Sequence, residues 1–313
     1  METVLRGSFA NNQRLGIALS GGPDSLALLL LSKAAYPNQV EAATVDHKLR
    51  VESAEEAQYC AKICAELGIP HSILAVQEPI TGNLQSAART ARYALLAQWA
   101  ADRNVDFILT AHHADDQAET FLMRLKRGAG VSGLAGVRAR NKAVIRPLLG
   151  WRKAELEDIV REQGIKAVQD PSNRNEAFDR ARLRKALQSL TATQFEWVDP
   201  LAISKTAEHL ADANIALDWT AEQYLGQLVT VQDTSVKITP EFGIIPHEIQ
   251  RRILVSALAS LDASLSIRGD TLDATLSNMA NGNKAMLGDW IIAPLKAAKS
   301  GWIIERAPPR RTA

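Results

Sequence analysis

Several features that would point to particular classes of protein are scarce or absent in this sequence of 313 residues. It has only two cysteines, Cys60 and Cys64, which form neither a C-x-x-C pair nor a set of zinc ligands with histidine. No glycine is followed by lysine, so the G-x-x-x-x-G-K-[ST] pattern of a P-loop is missing. These absences favour a reduced, zinc-free, cytoplasmic protein and argue against a P-loop kinase or GTPase.

Long apolar runs and an excess of one charge are also lacking. The longest leucine-rich run, residues 26–31, is too short to span a bilayer, and the N-terminal segment lacks the apolar core of a signal peptide. The 36 basic and 35 acidic side chains leave a net charge of +1, so the overall balance indicates no partner. We therefore expect neither secretion nor membrane insertion, and a nucleic-acid partner only where charge is unevenly distributed.

The first half of the chain alternates short β-branched runs with helix-like segments, which is typical of parallel strands joined by crossover helices. We predict an α/β fold with two domains: a doubly wound, mostly parallel, Rossmann-like sheet in residues 1–190, and a smaller, mainly helical domain in residues 191–313. We expect the tail, residues 307–313, to be disordered. The predicted helices of the first domain are residues 24–35, 54–67, 84–102 and 118–127, and the predicted strands lie in "LGIALS", "VEAATVDH", "HSILAV", "DFILTAHH" and "AVIRPLL".

The first predicted strand ends in "SGGPDS", residues 20–25, a sequence that can form a phosphate site. A strand that ends in two glycines and opens a helix directs backbone N–H groups at one point, beside the positive end of the helix dipole. A plain strand-to-helix turn would use the same residues, and it is the better interpretation of Gly-Gly-Pro-Asp taken alone. Asp24 would repel a phosphate unless a metal ion lay between them, so this position predicts ligation of Mg²⁺.

Two further polar clusters, "VDH" and "TAHHADDQAET", follow the second and fourth predicted strands. In doubly wound sheets, ligands bind at the carboxyl ends of the strands, where these clusters should meet the first one. Asp116 and Glu119 are three residues apart and share one face at a helix start, so they could coordinate a metal ion or hold an ammonium group. A helix N-terminus that simply favours acids is the structural alternative. Two consecutive histidines, His112 and His113, indicate contact with a ligand.

Positive charge is concentrated in two segments. Residues 124–153 contain nine Lys or Arg and no Asp or Glu, and residues 174–185 contain five basic residues against two acidic ones. Solvated basic faces are common, but thirty residues without an acid in a nearly neutral protein favour contact with the phosphates of a folded RNA.

Residues 128–133, "GAGVSG", match G-x-G-x-x-G without the strand and helix of a dinucleotide site, so we expect a mobile or substrate-facing loop there.

The "SGGPDS" hexad resembles the fingerprint S-G-G-x-D-S of the PP-loop ATP pyrophosphatases. The resemblance implies a site that holds the β,γ-pyrophosphate of ATP while a nucleophile attacks the α-phosphorus and accepts AMP. The residues that it assigns to ATP are Ser20, Gly21, Gly22, Pro23, Asp24 and Ser25.

Four more stretches, in order and spacing, resemble the tRNA(Ile)-lysidine synthetase family: residues 45–50, 82–96, 109–136 and 146–187. The resemblance implies an ATP-dependent ligase that joins L-lysine to C2 of the wobble cytidine of tRNA(Ile), in the CAU anticodon, through an adenylated intermediate. This chain departs from the family pattern at Lys48, where glycine is usual, at Ser86, where glutamate is common, and at Ala181, where asparagine is usual.

The resemblance also implies roles for individual side chains. Asp116 and Glu119 would bind lysine, Asp46 would orient the nucleotide, and Asp116, Glu119 or His113 would take a proton from the lysine ε-amine. The predicted catalytic residues are thus Asp24, Asp46, His113, Asp116 and Glu119, and the predicted tRNA contacts are Arg127, Arg146, Arg180, Arg182 and Arg184.

Two alternatives remain open at this point. A tRNA thiolase on the same fold would share the adenylation step, but such enzymes commonly use paired cysteines, and this chain has only Cys60 and Cys64 on an upstream helix. A non-catalytic RNA-binding protein would be expected to have lost the hexad or the acidic pair, and both are intact. Assembly as a homodimer is left open.

Overall fold

A computed structural model describes residues 9–10, 12–48, 52–77, 84–168, 182–187, 199–265, 267–295 and 301–308. The chain divides into two compact units, Met1–Ala211 and Asp212–Ala313. This division falls within one long helix, Pro200–Leu228. The predicted domain boundary at residue 190 and the tail residues 309–313 lie outside the described residues.

The first unit is built on a six-stranded sheet with the strand order β3-β2-β1-β4-β6-β5. Every neighbouring pair in it is parallel except β5 and β6, which are antiparallel at one edge. This arrangement confirms the predicted doubly wound, mostly parallel sheet. The strands are β1 (Leu15–Ala18), β2 (Val40–Asp46), β3 (His71–Ala75), β4 (Phe107–Leu109), β5 (Arg140–Asn141) and β6 (Val144–Ile145).

Helices of the first unit connect these strands and follow them. They are α1 (Pro23–Ala35), α2 (Glu52–Glu66), α3 (Leu84–Arg103), α4 (Ala114–Leu125), α5 (Val131–Leu134), α6 (Lys153–Glu162), α7 (residues 182–187) and α8 (Pro200–Leu228). The sequence placed the start of α4 four residues too late, at position 118. The helix begins at Ala114 because the carboxylate of Asp116 accepts a hydrogen bond from the His113 N–H at 3.3 Å, which satisfies a backbone donor at the helix start.

Apolar clusters cover both faces of the sheet. The larger one contains Leu28 of α1, Cys60 of α2 and Leu156 of α6, none of which is exposed to solvent. The other contains Ala43 of β2 with Leu96 and Trp99 of α3. Because the central strands β1 and β4 are covered on both sides, their sequences, LGIA and FIL, are apolar throughout.

The second unit contains the predicted helices together with a five-stranded antiparallel sheet of order β7-β8-β11-β10-β9. The sequence predicted a mainly helical domain here, and strands of only 3 to 5 residues carry too short a pattern to show that they would pair with one another. The unit comprises the C-terminal part of α8, β7 (Val229–Gln232), β8 (Ser235–Ile238), a 3₁₀ turn (Pro240–Ile244), α9 (His247–Leu261), α10 (Gly269–Ala280), β9 (Ala285–Leu287), β10 (Trp290–Pro294) and β11 (Trp302–Arg306). Within the described ranges, no helix has the length and apolar character needed to cross a membrane.

The core on the α1 face predicts a difference between two leucines. Leu28→Ala should destabilise the protein by about 2–5 kcal/mol, because it leaves a cavity where a fully buried side chain had packed. Leu125→Ala, at a side chain that is 52% exposed, is the matched control and should stay within about 0.5 kcal/mol of the parent. Urea unfolding followed by circular dichroism measures both, and equal midpoints for the two variants would contradict this description of the core.

Candidate active site

The carboxyl ends of β1, β2 and β4 bring the three predicted polar clusters to one edge of the sheet. β1 pairs with β2 on one side and with β4 on the other, both in parallel. Residues 20–25 follow β1, Asp46 ends β2, and His113 lies four residues beyond the end of β4. The strands β2 and β3 lie on one side of β1, and β4 lies on the other. This edge of the sheet is therefore the switch point at which doubly wound folds bind ligands.

The turn after β1 is held by its own serines and shaped by a glycine. The Ser25 hydroxyl donates to the Gly22 carbonyl at 3.0 Å and lies 3.1 Å from both the Ser20 N–H and the Ser20 hydroxyl. Gly21 has a φ of +78°, and a Cβ at this position would lie 2.9 Å from Val168 Cγ2, so a larger residue would be strained and crowded. Pro23 opens α1, whose first-turn N–H groups have no partner within the helix and can bind an anion.

Asp24 presents one carboxylate oxygen that suits a metal ion. Its Oδ1 atom is buried and accepts no hydrogen bond from any described residue, while Oδ2 faces His113. Among the described residues, no group of three or more His, Cys, Asp or Glu side chains could hold a metal ion. A Mg²⁺ ion at Asp24 would therefore depend on phosphate oxygens and water for its other ligands, which is the usual arrangement for this ion.

His113 lies at the centre of a carboxylate cluster. Its Nε2 atom is 3.6 Å from Asp24 and 3.5 Å from Asp116, its Nδ1 atom is 3.4 Å from Asp115, and its side chain is only 2% exposed. Burial alone would lower the pKa of His113, but the three carboxylates outweigh burial and raise it to about 10. The histidine is therefore an imidazolium at neutral pH, linking the turn after β1 to the start of α4.

Glu119 and Asp116, the predicted lysine-binding acids, face a cation of the protein itself. The Arg184 guanidinium donates from Nε to Glu119 Oε1 at 2.6 Å and from Nη2 to Oε2 at 3.1 Å. The same Nη2 lies 3.8 Å from Asp116 Oδ1. The Glu119 side chain is 2% exposed, so this bidentate pair is shielded from water. Arg184, predicted as a tRNA contact, thus lies against two of the predicted catalytic acids.

Asp46 is fixed in place by the turn that follows β2. Its carboxylate accepts hydrogen bonds from the Ser53 hydroxyl and, at 2.9 Å, from the Lys48 N–H. Burial acts to raise the pKa of Asp46, but these hydrogen bonds outweigh it and lower the pKa. Lys48 has a φ of +52°, a conformation that favours glycine. That backbone angle gives the physical reason for glycine at this position in the family pattern.

A group of arginines lies near Asp116, around His112, and was not predicted as a group from the sequence. Arg89 and Arg92 lie over the Tyr93 ring, with guanidinium carbons 5.1 and 5.4 Å from its centroid. Their i, i+3 and i+4 spacing in "RTARY" was a signal that could have placed these three side chains on one face of α3. The predicted tRNA contact Arg146 belongs to the same group, and it is only 7% exposed.

Donors in this cationic group remain unsatisfied. The Nε atoms of Arg92 and Arg146 are buried and make no hydrogen bond with the described residues. Burial, together with Arg146, Arg89 and Arg92, lowers the pKa of His112 to about 4 although Asp116 opposes this, so His112 is neutral at pH 7. Buried donors without partners are suited to an anionic ligand group.

The acid-free segment 124–153 has more than one role. Arg124 donates to the carbonyls of Gly133 and Gly136 at 2.6 and 3.1 Å, and so fixes the loop that contains α5. That loop, which the sequence analysis expected to be mobile or substrate-facing, is thus packed on α4. Lys126 and Arg127 are exposed just beyond the end of α4, away from His113. Of the other predicted contacts, Arg182 is exposed on α7 and Arg180 lies outside the described residues.

The fold and this edge define a protein of the PP-loop class, with the turn of residues 20–25 after β1 facing an acidic cluster after β4. Consistent with this, the family model described as "PP-loop domain" matches residues 2–190. The U34-tRNA thiolase of Methanococcus maripaludis, solved with its [4Fe-4S] cluster, shares the fold with a TM-score of 0.56, at 21% identity over 67% of this chain and 76% of that one.

Two curated relatives narrow the class further. The tRNA(Ile)-lysidine synthase of Zymomonas mobilis is 39% identical over 312 residues, which cover 96% of this chain and 90% of that protein. The tRNA(Ile)-lysidine synthase of Novosphingobium aromaticivorans is 39% identical over 308 residues, with the same two coverages. This chain belongs to the tRNA(Ile)-lysidine synthase family, which confirms the resemblance seen in its sequence motifs.

The raised pKa of His113 predicts a pH-dependent contribution to stability. A folded-state pKa of about 10, above the ordinary value of 6.5, stabilises the fold fully below about pH 6.5, and the stabilisation is lost as the pH rises through 10. The stability advantage of the parent over His113→Asn should therefore be larger at pH 6 than at pH 10. Urea unfolding at both pH values measures it, and His209→Asn, at an exposed position, is the control for replacing a histidine elsewhere on the chain. An advantage that grew with pH would show that His113 is not held as an imidazolium.

Proposed function

We propose that this chain ligates L-lysine to C2 of the wobble cytidine of tRNA(Ile), using ATP and passing through an adenylated cytidine. The observation that carries the proposal is the contact of the turn after β1 with the acidic cluster of α4. His113 lies within 3.6 Å of Asp24 and 3.5 Å of Asp116, so a phosphate on the turn and an amine on the acids would be neighbours. Membership of the lysidine synthase family supports the same reaction.

In the first step, the turn of residues 20–25 would hold the β,γ-phosphates of ATP. The first-turn N–H groups of α1 and the helix dipole favour negative charge at this point. The cytidine O2 then attacks the α-phosphorus, the bond to the β-phosphate oxygen breaks, and pyrophosphate leaves. Asp24 would hold Mg²⁺ through its free Oδ1, and the ion supplies positive charge that offsets the repulsion between the phosphates and the carboxylate.

In the second step, lysine would lie between the acids and the cationic group. Asp116 and Glu119 match an ammonium group, and the unsatisfied donors of Arg92 and Arg146 match a carboxylate. An amino acid carries both kinds of group, so opposite charges at one sheet edge suit a zwitterion. The ε-amine attacks C2 of the adenylated base, and the C2–O bond breaks to release AMP.

The amine must lose a proton before it can attack, because its ordinary pKa is near 10.4. His113 was predicted as one acceptor, but the surrounding carboxylates keep it protonated, so it serves to orient Asp24 and Asp116. We assign proton acceptance to Asp116 or Glu119.

A sulfur-transfer reaction of the thiolase type has less support. Cys60 and Cys64 are fully buried on α2, and burial raises the pKa of both thiols, to about 12 for Cys64. Thiols of this kind are poor nucleophiles because little thiolate forms at neutral pH. Cys60 instead packs against Gly21, with its Sγ 3.1 Å from the position of a Cβ there.

Purified protein incubated with ATP, Mg²⁺, radiolabelled lysine and a tRNA(Ile) transcript should place label in the tRNA. Asp24→Asn should reduce tRNA-dependent pyrophosphate release by about 100-fold or more, because it removes charge at the phosphate site, while tRNA affinity stays unchanged.

Glu119→Gln should still release pyrophosphate in a single turnover and then incorporate lysine poorly. Label in no tRNA would sink the proposed function, and undiminished release by Asp24→Asn would remove the turn from the ATP site.

The exposed cations after α4 predict a salt-dependent contribution to RNA binding. Replacing both Lys126 and Arg127 with Gln should weaken tRNA binding and reduce the slope of log K against log salt concentration by about 0.7–0.9 for each lost phosphate contact. Replacing the exposed Lys62 and Arg161 with Gln changes the same charge elsewhere on the unit and should leave the slope as it is. Filter binding across a salt series measures both, and identical slopes for the two double variants would rule out this surface.

A further inference from the structure

The Arg184 side chain occupies both oxygens of Glu119. The two hydrogen bonds of 2.6 and 3.1 Å form a parallel pair, and a third approach of 3.8 Å reaches Asp116. Glu119 also makes contacts beyond these, so its small exposed surface leaves little room for another ligand. A guanidinium therefore stands where the proposed function requires an ammonium group, and the two cations compete for the same buried carboxylate.

We infer that Arg184 is the resident counter-ion of the lysine subsite, and that lysine binds by exchange, as Arg184 moves from the carboxylates to a phosphate. This inference rests on the proposed function, because it takes Asp116 and Glu119 as the amine site. Simple departure of Arg184 would leave a buried and uncompensated carboxylate, which is strongly unfavourable. Arrival of one cation as the other leaves keeps the charge balanced throughout.

A phosphate is the acceptor that best matches a displaced guanidinium. Arginine pairs with phosphate through the same two parallel N–H groups that now contact Glu119. Two phosphates are within the chemistry of this site. The phosphates of ATP would lie beside Asp24. Burial acts to lower the pKa of Arg184, but Glu119, Asp116 and Asp24 outweigh burial and raise that pKa, so Asp24 lies near the guanidinium. The backbone of the RNA would reach α7, where Arg182 and Lys185 are exposed on either side of Arg184.

The exchange makes lysine and phosphate binding mutually favourable. A phosphate that takes Arg184 opens the acidic pair, so lysine should bind more tightly when the phosphate ligand is present. By thermodynamic linkage, lysine must strengthen binding of that phosphate ligand by the same factor. Free lysine would then bind poorly to the empty protein and well to the complex that can use it. Arg184 is in this sense a positioning residue, which acts through Glu119.

The test measures lysine affinity by equilibrium dialysis with labelled lysine on the full chain. Three arms distinguish the source of phosphate: no addition, a non-hydrolysable ATP analogue, and a tRNA(Ile) transcript. For the parent, lysine affinity should rise by about 5–150-fold in at least one phosphate arm. Arg184→Gln should bind lysine tightly with no addition and gain little from either phosphate ligand. Lys62→Gln, an exposed charge removed from α2, should keep the parental pattern.

Folding of the variants is checked by the thermal shift that lysine produces. Arg184→Gln leaves Glu119 without its guanidinium, so it should melt lower than the parent without lysine and recover more on adding it. Arg184→Lys keeps a charge but loses the paired hydrogen bonds, and it should show intermediate coupling. Weaker lysine binding by Arg184→Gln in all three arms, or a parental affinity that no phosphate ligand changes, would overturn the inference.

Failure of the inference and failure of the proposed function give different results. If the parent incorporates lysine into tRNA but Arg184→Gln gains no affinity, only the exchange is wrong. If the parent neither binds nor incorporates lysine in any arm, the proposed function itself is wrong.

Discussion

Parallel pairing of β1 with β2 on one side and β4 on the other is the constraint on which the site depends. The register is continuous, with Ile17 opposite Ala42 and Leu109, so the carboxyl ends of the three strands lie at the same edge of the sheet, where β2 continues past Ala43, the partner of Ala18, to Asp46. Asp24 and Asp116, almost a hundred positions apart in the chain, therefore lie 3.6 and 3.5 Å from the same nitrogen of His113. The three polar clusters meet at one edge because of how β1, β2 and β4 pair in the sheet.

Charge compensation is the second organising feature of this edge. Four carboxylates, from Asp24, Asp115, Asp116 and Glu119, are balanced in part by the His113 imidazolium and the Arg184 guanidinium. Arg92 and Arg146 lie on the other side of this edge, near His112, and their buried Nε donors make no hydrogen bond with the described residues. The site is thus divided into an anion-binding turn, an acidic pair and a cationic group. Each part matches one group of the proposed substrates: phosphate, amine and carboxylate.

Sequence reasoning performed best where a local pattern carried the information. The turn of residues 20–25 needs glycine at position 21 because its φ is +78°, and this requirement is visible in the letters themselves. It performed less well for charged side chains, whose role depends on their partners. Arg124 and Arg146 were counted with a surface for RNA, yet one binds loop carbonyls and the other is buried beside α3. A long, flexible side chain can point either way from the same backbone position, so the pattern alone could not decide.

The sequence by itself determined the fold class, the anion-binding turn and the family, because strand and helix periodicity, glycine in the turn and ordered motifs are local properties. Only the tertiary structure decided which charges meet. It showed that His113 is flanked by three carboxylates, which raise its pKa to about 10, so that one of the predicted bases is a cation at neutral pH. It also paired Arg184 with Glu119 across 65 positions of chain. Electrostatic energy depends on distance in space and on burial, and neither can be read from separation along a chain.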